Sequence, residues 1–211
     1  MTYDLEEQEQ LDAIKAWWAK YGNAILTLIT LILLAVAAWQ WWNWYQRNQA
    51  AQAAAVFEAL QTATVQGQSN QVLDASARLQ NDYARTVYAS RGALLAAGAL
   101  AEAGDTAAAR QRLQWVVDQK DLLAPVARLR LAALLIDAGE AAQALALLDT
   151  TPAAGFEALY ADRRGDALFA LGRGNEAASA WGEAVERMGP ADPLVSVVQL
   201  KIEALLPEER A

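Results

Sequence analysis

The sequence predicts an all-α protein, one membrane-spanning helix followed by a stack of helical hairpins. Three observations carry that reading. The 26 residues between Lys20 and Arg47 contain no charge. Beyond Arg47 the chain is dominated by Ala and Leu, with β-branched residues sparse and scattered. Glycine-centred turns recur there at a nearly constant interval.

The elements follow in chain order. Residues 1–22 form an N-terminal segment in which Leu5, Leu11, Ile14, Trp17, Trp18 and Tyr21 make an irregular apolar stripe. Such a stripe either lies along a membrane interface or stays loosely ordered at the surface. Asp4, Glu6, Glu7, Glu9 and Asp12 precede the apolar run and bulky tryptophans follow it, which argues against a cleaved signal peptide.

Residues 23–45 read as a transmembrane helix. Ala24–Ala38 holds nothing more polar than Thr27 and Thr30, and about 20 helical residues cover the roughly 30 Å of bilayer hydrocarbon. Trp17, Trp18 and Tyr21 flank one end, and Trp39, Trp41, Trp42, Trp44 and Tyr45 the other. Indole and phenol rings collect at membrane interfaces because they combine an apolar body with a polar tip. Lys15 and Lys20 precede the helix and Arg47 alone follows it closely. That bias places the N-terminus in the cytoplasm and the large domain outside. A bacterial inner-membrane protein with a periplasmic domain fits this expectation. Gln46–Ala55 should continue the anchor as a helix.

Residues 46–211 form one domain of hairpins. Ala loses no side-chain entropy in a helix and lets neighbouring helices approach closely. Taking Gly104, Gly139 and Gly174 as equivalent gives two intervals of 35 residues. Ala109, Ala144 and Ser179 stand five places after these glycines, and Ala97, Ala132 and Ala167 seven before, where helices cross. Asp105 and Asn175 suit helix caps. A two-helix unit of this period is the signature of a tetratricopeptide-like helical-hairpin solenoid. An earlier unit turns at Gly67. Helices are expected near 48–65, 70–80, 84–102, 106–118, 122–137, 140–149, 154–171 and 174–188. A capping helix over Pro193–Leu206 follows a break at Gly189-Pro190. Trp115, Trp181, Phe156, Phe169, Tyr160, Tyr83 and Tyr88 are expected within helices as packing groups.

Composition narrows function. Without His or Cys, one chain has no thiol nucleophile, disulfide, imidazole or thiolate metal site, or His-based proton transfer. No paired-carboxylate motif stands out. No catalytic, cofactor-binding or metal-binding residue is expected, and the protein reads as no enzyme. The net charge is −8 and no basic run appears, which disfavours nucleic acid as a partner. Arg128 with Arg130, and Arg163 with Arg164, read as local ion pairing or a solvated rim.

One stretch carries a family resemblance. Glu6-Glu7-Gln8, Ala13, Lys15, Trp17-Trp18, Lys20 and Gly22 directly precede the anchor, and WQWW follows it at Trp39–Trp42. With the repeats behind it, this arrangement resembles the YfgM family, ancillary subunits of the bacterial SecYEG translocon. The resemblance covers essentially the whole chain. It implies an inner-membrane protein with a periplasmic repeat domain. That domain would sit beside SecYEG, cooperate with the chaperone PpiD and meet exported polypeptides. It implies no catalytic residues. A membrane-tethered structural adaptor in another envelope assembly is the alternative function.

Overall fold

The computed structural model describes residues 3–189 and 191–205. Pro190 and Leu206, assigned above to the break before the last helix and to its end, lie outside the described residues, as do residues 1–2 and 207–211. The described residues form nine helices: α1 Tyr3–Val65, α2 Ser69–Asp82, α3 Val87–Glu102, α4 Thr106–Gln119, α5 Ala124–Asp137, α6 Ala141–Leu148, α7 Glu157–Ala170, α8 Gly174–Arg187 and α9 Leu194–Glu203. The chain divides into two units, Met1–Ala51 and Gln52–Ala211.

The first unit is the N-terminal part of α1. Leu26, Leu28, Ile29 and Leu31 through Leu34 are all exposed. An 18-residue stretch of mean hydropathy 2.1 is only 6% covered by protein. A core helix of a soluble domain would be mostly covered; this one is long and apolar enough to cross a bilayer. Its two threonines bring no free donor into lipid. The Thr27 hydroxyl donates to the Asn23 carbonyl and that of Thr30 to the Leu26 carbonyl, each at 2.8 Å. Helical backbone satisfies the remaining polar groups, as hydrocarbon requires.

The second unit holds the remainder of α1 and helices α2 to α9. The turns within its hairpins share one construction. Gly67, Gly104, Gly139 and Gly172 have φ of +66°, +85°, +78° and +74°, a left-handed conformation that a Cβ would strain. After each, the next N–H donates to a carbonyl five residues back: Gln68 to Ala63, Asp105 to Leu100, Glu140 to Leu135 and Arg173 to Leu168. These bonds satisfy helix-end carbonyls that would otherwise lack partners. The hairpins are therefore α1–α2, α3–α4, α5–α6 and α7–α8, each stacked on the next, and α5 also packs on α7.

This register corrects the equivalence of Gly174 with Gly104 and Gly139. Gly172 makes the turn, whereas Gly174 is already the first residue of α8. Asn175 is correspondingly inside α8 and not its cap. Five places after Gly172 stands buried Ala177, while Ser179 is exposed. Seven places before it stands Gly165, in line with buried Ala97 and Ala132; Ala167 is buried as well.

In this register, volumes trade off from hairpin to hairpin. The position nine after each turn glycine holds Ser76, Leu113, Leu148 and Trp181, all buried. The position seven before holds Leu60, Ala97, Ala132 and Gly165. The largest residue of one series accompanies the smallest of the other, and Leu60 accompanies Ser76. Close-packed interiors tolerate such volume-conserving exchanges best.

The hairpin-to-hairpin loops are less regular than the turns, and three helices start later than expected. α3 begins at Val87 and not at 84, because Thr86 takes an extended conformation and its hydroxyl donates to the Tyr83 carbonyl at 2.8 Å. α5 begins at Ala124, after Lys120 ends α4 with φ +55°. α7 begins at Glu157 behind a loop containing Pro152 and Gly155. Tyr83 and Phe156 are consequently flanking residues of α2 and α7, not interior ones.

Tyr160 and Trp181 are buried core groups, Trp115 and Tyr88 are partly buried, and Phe169 is exposed with its ring beside Trp181. Asp105 caps α4 as expected, its side chain accepting the Ala108 N–H at 3.0 Å. Asp105→Ala should lower stability by about 1 kcal/mol, the usual effect of losing a helix N-cap. Chemical denaturation of the full chain in detergent would read it.

The last helix is fastened by a polar network. The Lys201 ammonium on α9 donates to carboxylates of Asp162 and Asp166 on α7, both at 2.7 Å. The Trp181 indole N–H on α8 points to the Asp162 carbonyl at 3.1 Å and the Asp166 carboxylate at 3.2 Å. Arg163 adds an ion pair with Asp166 at 3.1 Å. Ala161, Leu168, Ala177, Ala184, Met188 and Val198 form the apolar cluster beneath.

Candidate functional site

Open grooves mark the described part of the repeat domain. One, of about 510 Å³, runs between α4 and α6 over Leu131 and Leu135 of α5. Its rim carries Gln111 and Gln114 on α4, and Gln143 and Leu147 on α6. α6 is only eight residues long and presents small Ala146 to the groove. A second groove, of about 470 Å³, lies on the other side of Ala146 towards α7 and α8. Arg164, Arg173, Glu176 and Asp149 line it with Leu145, Leu168 and Leu171.

An ion pair fixes one end of the first groove. Arg110 of α4 donates from both terminal nitrogens to the two carboxylate oxygens of Glu140, each at 2.7 Å. Both side chains are about one-third exposed. The bonds from Arg110 hold the Glu140 carboxyl below the usual carboxylate range, outweighing the opposing effect of burial. The same bonds raise the Arg110 guanidinium. A carboxyl with a depressed folded pKa stabilises the fold fully above its unfolded pKa, about 4.3. That contribution is lost as the pH falls through the lower folded value. Glu140→Gln should therefore flatten the acid limb of a stability–pH profile while changing little in its slope near neutrality. Thermal unfolding measured from neutral pH down into the carboxylate range checks this.

The chemistry of the first groove is that of recognition. Glutamine amides offer both donors and acceptors, and the floor is aliphatic. An extended peptide presents the complementary set, backbone polar groups alternating with side chains. Among the described residues no three His, Cys, Asp or Glu side chains cluster as metal ligands.

The basic pairs singled out in the sequence separate in the structure. Arg128 reaches the hydroxyls of Thr150 and Tyr160 at 3.4 Å, and Arg130 the Leu94 carbonyl at 3.4 Å. Arg163 pairs with Asp166, and Arg164 lines the second groove. The Arg110–Glu140 clasp was missed because its partners lie 30 residues apart in consecutive repeats. The available signal was positional: each stands close behind a turn glycine, at Gly104 and Gly139.

A partly buried polar group sits deeper, between α2 and α4. Arg112 donates to Gln80 at 2.6 Å, and burial lowers the pKa of its guanidinium. The group remains charged, since arginine starts far above neutrality.

Comparison with known proteins agrees with the architecture. A family model described as a tetratricopeptide repeat-like domain matches residues 15–206. The chain is similar to a protein of Neisseria gonorrhoeae named ancillary SecYEG translocon subunit. The two are 29% identical over 97% of this chain and all of the relative. No solved structure matches. The family match takes in both the apolar helix and every hairpin, and the relative aligns from end to end. The chain belongs to the tetratricopeptide repeat-like family and is of the YfgM type.

Proposed function

We propose that this chain is a non-enzymatic ancillary subunit of the SecYEG translocon, held in the bacterial inner membrane by one helix. Residues 1–22 lie in the cytoplasm, residues 23–45 span the bilayer and residues 46–211 form the periplasmic repeat domain. There the domain cooperates with PpiD in handling exported polypeptides. The observation that carries this reading is the end-to-end similarity to a relative bearing that name, anchor included. The bias of Lys15 and Lys20 against Arg47 supports the orientation.

The mechanism needs no bond-making chemistry. An anchor keeps the grooves near the channel exit, and tethering raises their effective concentration to roughly millimolar when the reach suits the site. Weak contacts then suffice, and release stays fast. The apolar helix docks beside the channel, while the groove over Leu131 and Leu135 receives the chaperone or an emerging chain.

Photocrosslinking in living cells tests both parts. A photoreactive residue in place of Leu31 should capture a SecYEG subunit; one in place of Gln143 should capture PpiD or newly exported chains. Recovery of a different envelope assembly from both positions would overturn the proposal in favour of a structural adaptor.

A further inference from the structure

The segment before the span is built to a different plan from the belt behind it. On a helix advancing about 100° per residue, Trp39, Trp41, Trp42, Trp44 and Tyr45 surround most of the helix circumference. Trp17, Trp18, Tyr21, Ile14 and Leu11 instead share an arc of about 120°. All five are exposed in the structure. Within residues 9–21, Gln10 alone among polar residues falls on that arc. Every residue outside it is Ala or charged.

The charges are ordered as well. Lys15 stands about 40° beyond one edge of the arc and Lys20 about 60° beyond the other, while Asp12 lies nearly opposite its centre. Lysines at a polar–apolar boundary can rest their stems on lipid and reach phosphates with their ammonium groups. In the structure the Lys15 ammonium donates to the Asp12 carboxylate at 3.2 Å, a fully solvated pair of little energetic weight that headgroup phosphates can replace while the carboxylate stays in water.

We propose that on a bilayer α1, which runs unbroken through Gly22-Asn23 in the structure, bends at that joint, so that residues 9–21 lie flat on the phospholipid headgroup layer at the N-terminal end of the span, arc downward. The proposal rests on the helix behind it spanning the bilayer. A straight helix along the bilayer normal would carry Ile14 and Leu11 about 13 and 18 Å beyond Asn23. The headgroup layer is only about 5–7 Å thick per side, so both would be left in water. Lying flat buries the whole arc. The joint suits a bend: glycine lowers helix propensity by about 1 kcal/mol, and Thr27 bonds back to the Asn23 carbonyl, a pattern that bends helices. The arrangement of lysines favours lipid over a protein groove, which would need no phosphate-reaching cations at both edges.

The chain has no cysteine, so single spin labels can be placed without background. The full chain in vesicles of phosphatidylethanolamine and phosphatidylglycerol would carry a label at Leu11→Cys, Ile14→Cys, Asp12→Cys, Ala16→Cys, Ala19→Cys or, as a control, Leu31→Cys. Accessibility to oxygen, which concentrates in lipid, is compared with accessibility to a water-soluble nickel complex. The oxygen-to-nickel ratio should be several-fold higher at Leu11→Cys and Ile14→Cys than at the other three N-terminal positions. Uniformly water-like values at all five, with Leu31→Cys in lipid, would overturn the proposal. So would labels at Leu11→Cys and Ile14→Cys that are shielded from both reagents, the sign of a protein partner. A water-like Leu31→Cys would instead refute the span itself.

Discussion

Gly165→Ala should destabilise the repeat domain by about 2 kcal/mol or more, whereas Gly182→Ala, beside Trp181 in sequence, should raise stability by up to about 1 kcal/mol. Both glycines are helical, so propensity favours Ala at each. The surroundings reverse the sign at one. A Cβ on Gly165 would stand 2.4 Å from two atoms of the Trp181 indole; one on Gly182 would meet nothing within 4 Å. The indole is a rigid plane held by Asp162 and Asp166, so it yields only by giving up those bonds, worth about 1 kcal/mol apiece. The α3–α4 and α5–α6 hairpins combine Ala with Leu at these two positions. Adding Trp181→Leu to Gly165→Ala restores that combination. The double variant should therefore be more stable than the sum of the two single effects predicts. Thermal unfolding of the four proteins in detergent, followed by circular dichroism, completes the cycle.

Lys201→Met should release α9 from the stack at an overall cost of about 2 kcal/mol. Methionine keeps the length of the stem and removes the charge. Asp162 and Asp166, each less than one-fifth exposed, are then left facing one another without their shared cation. Removing one partner of a buried pair commonly costs about 3–5 kcal/mol; the remaining exposure and Arg163 beside Asp166 reduce this. The loss should be local. Amide exchange in α9 and the end of α8 should quicken far more than in α3 and α4, because each hairpin contacts chiefly its neighbours. Uniform acceleration throughout the domain would contradict the one-dimensional stacking described here.

Helix number, hairpin order and the apolar span were legible from charge gaps, aromatic clusters and recurring glycines. Those signals are local, since each arises from a short stretch whose backbone or solvent demands are specific. The third turn was misassigned because Gly172-Arg173-Gly174 offers two glycines, and the even 35-residue spacing favoured the wrong one. The structure's intervals are 37, 35 and 33 residues between turn glycines. Pairing each glycine with the residues seven before and nine after it would have resolved the choice, since only Gly172 aligns Gly165 with Trp181. The grooves and the Arg110–Glu140 clasp were not legible. They depend on how far apart α4 and α6 stand over α5, which a single repeat's pattern does not specify. Phe169 is exposed although its ring centroid stands 5.8 Å from that of Trp181 on α8.

Sidedness of the membrane is the claim on which the functional reading turns. Single cysteines at Asp12 and Asn175, both exposed, can be probed with a membrane-impermeant maleimide in intact cells whose outer membrane alone has been opened. Reaction at Asn175→Cys with protection of Asp12→Cys until the cells are lysed is the predicted result. Immediate labelling of Asp12→Cys with Asn175→Cys protected would place the hairpins in the cytoplasm and contradict the account.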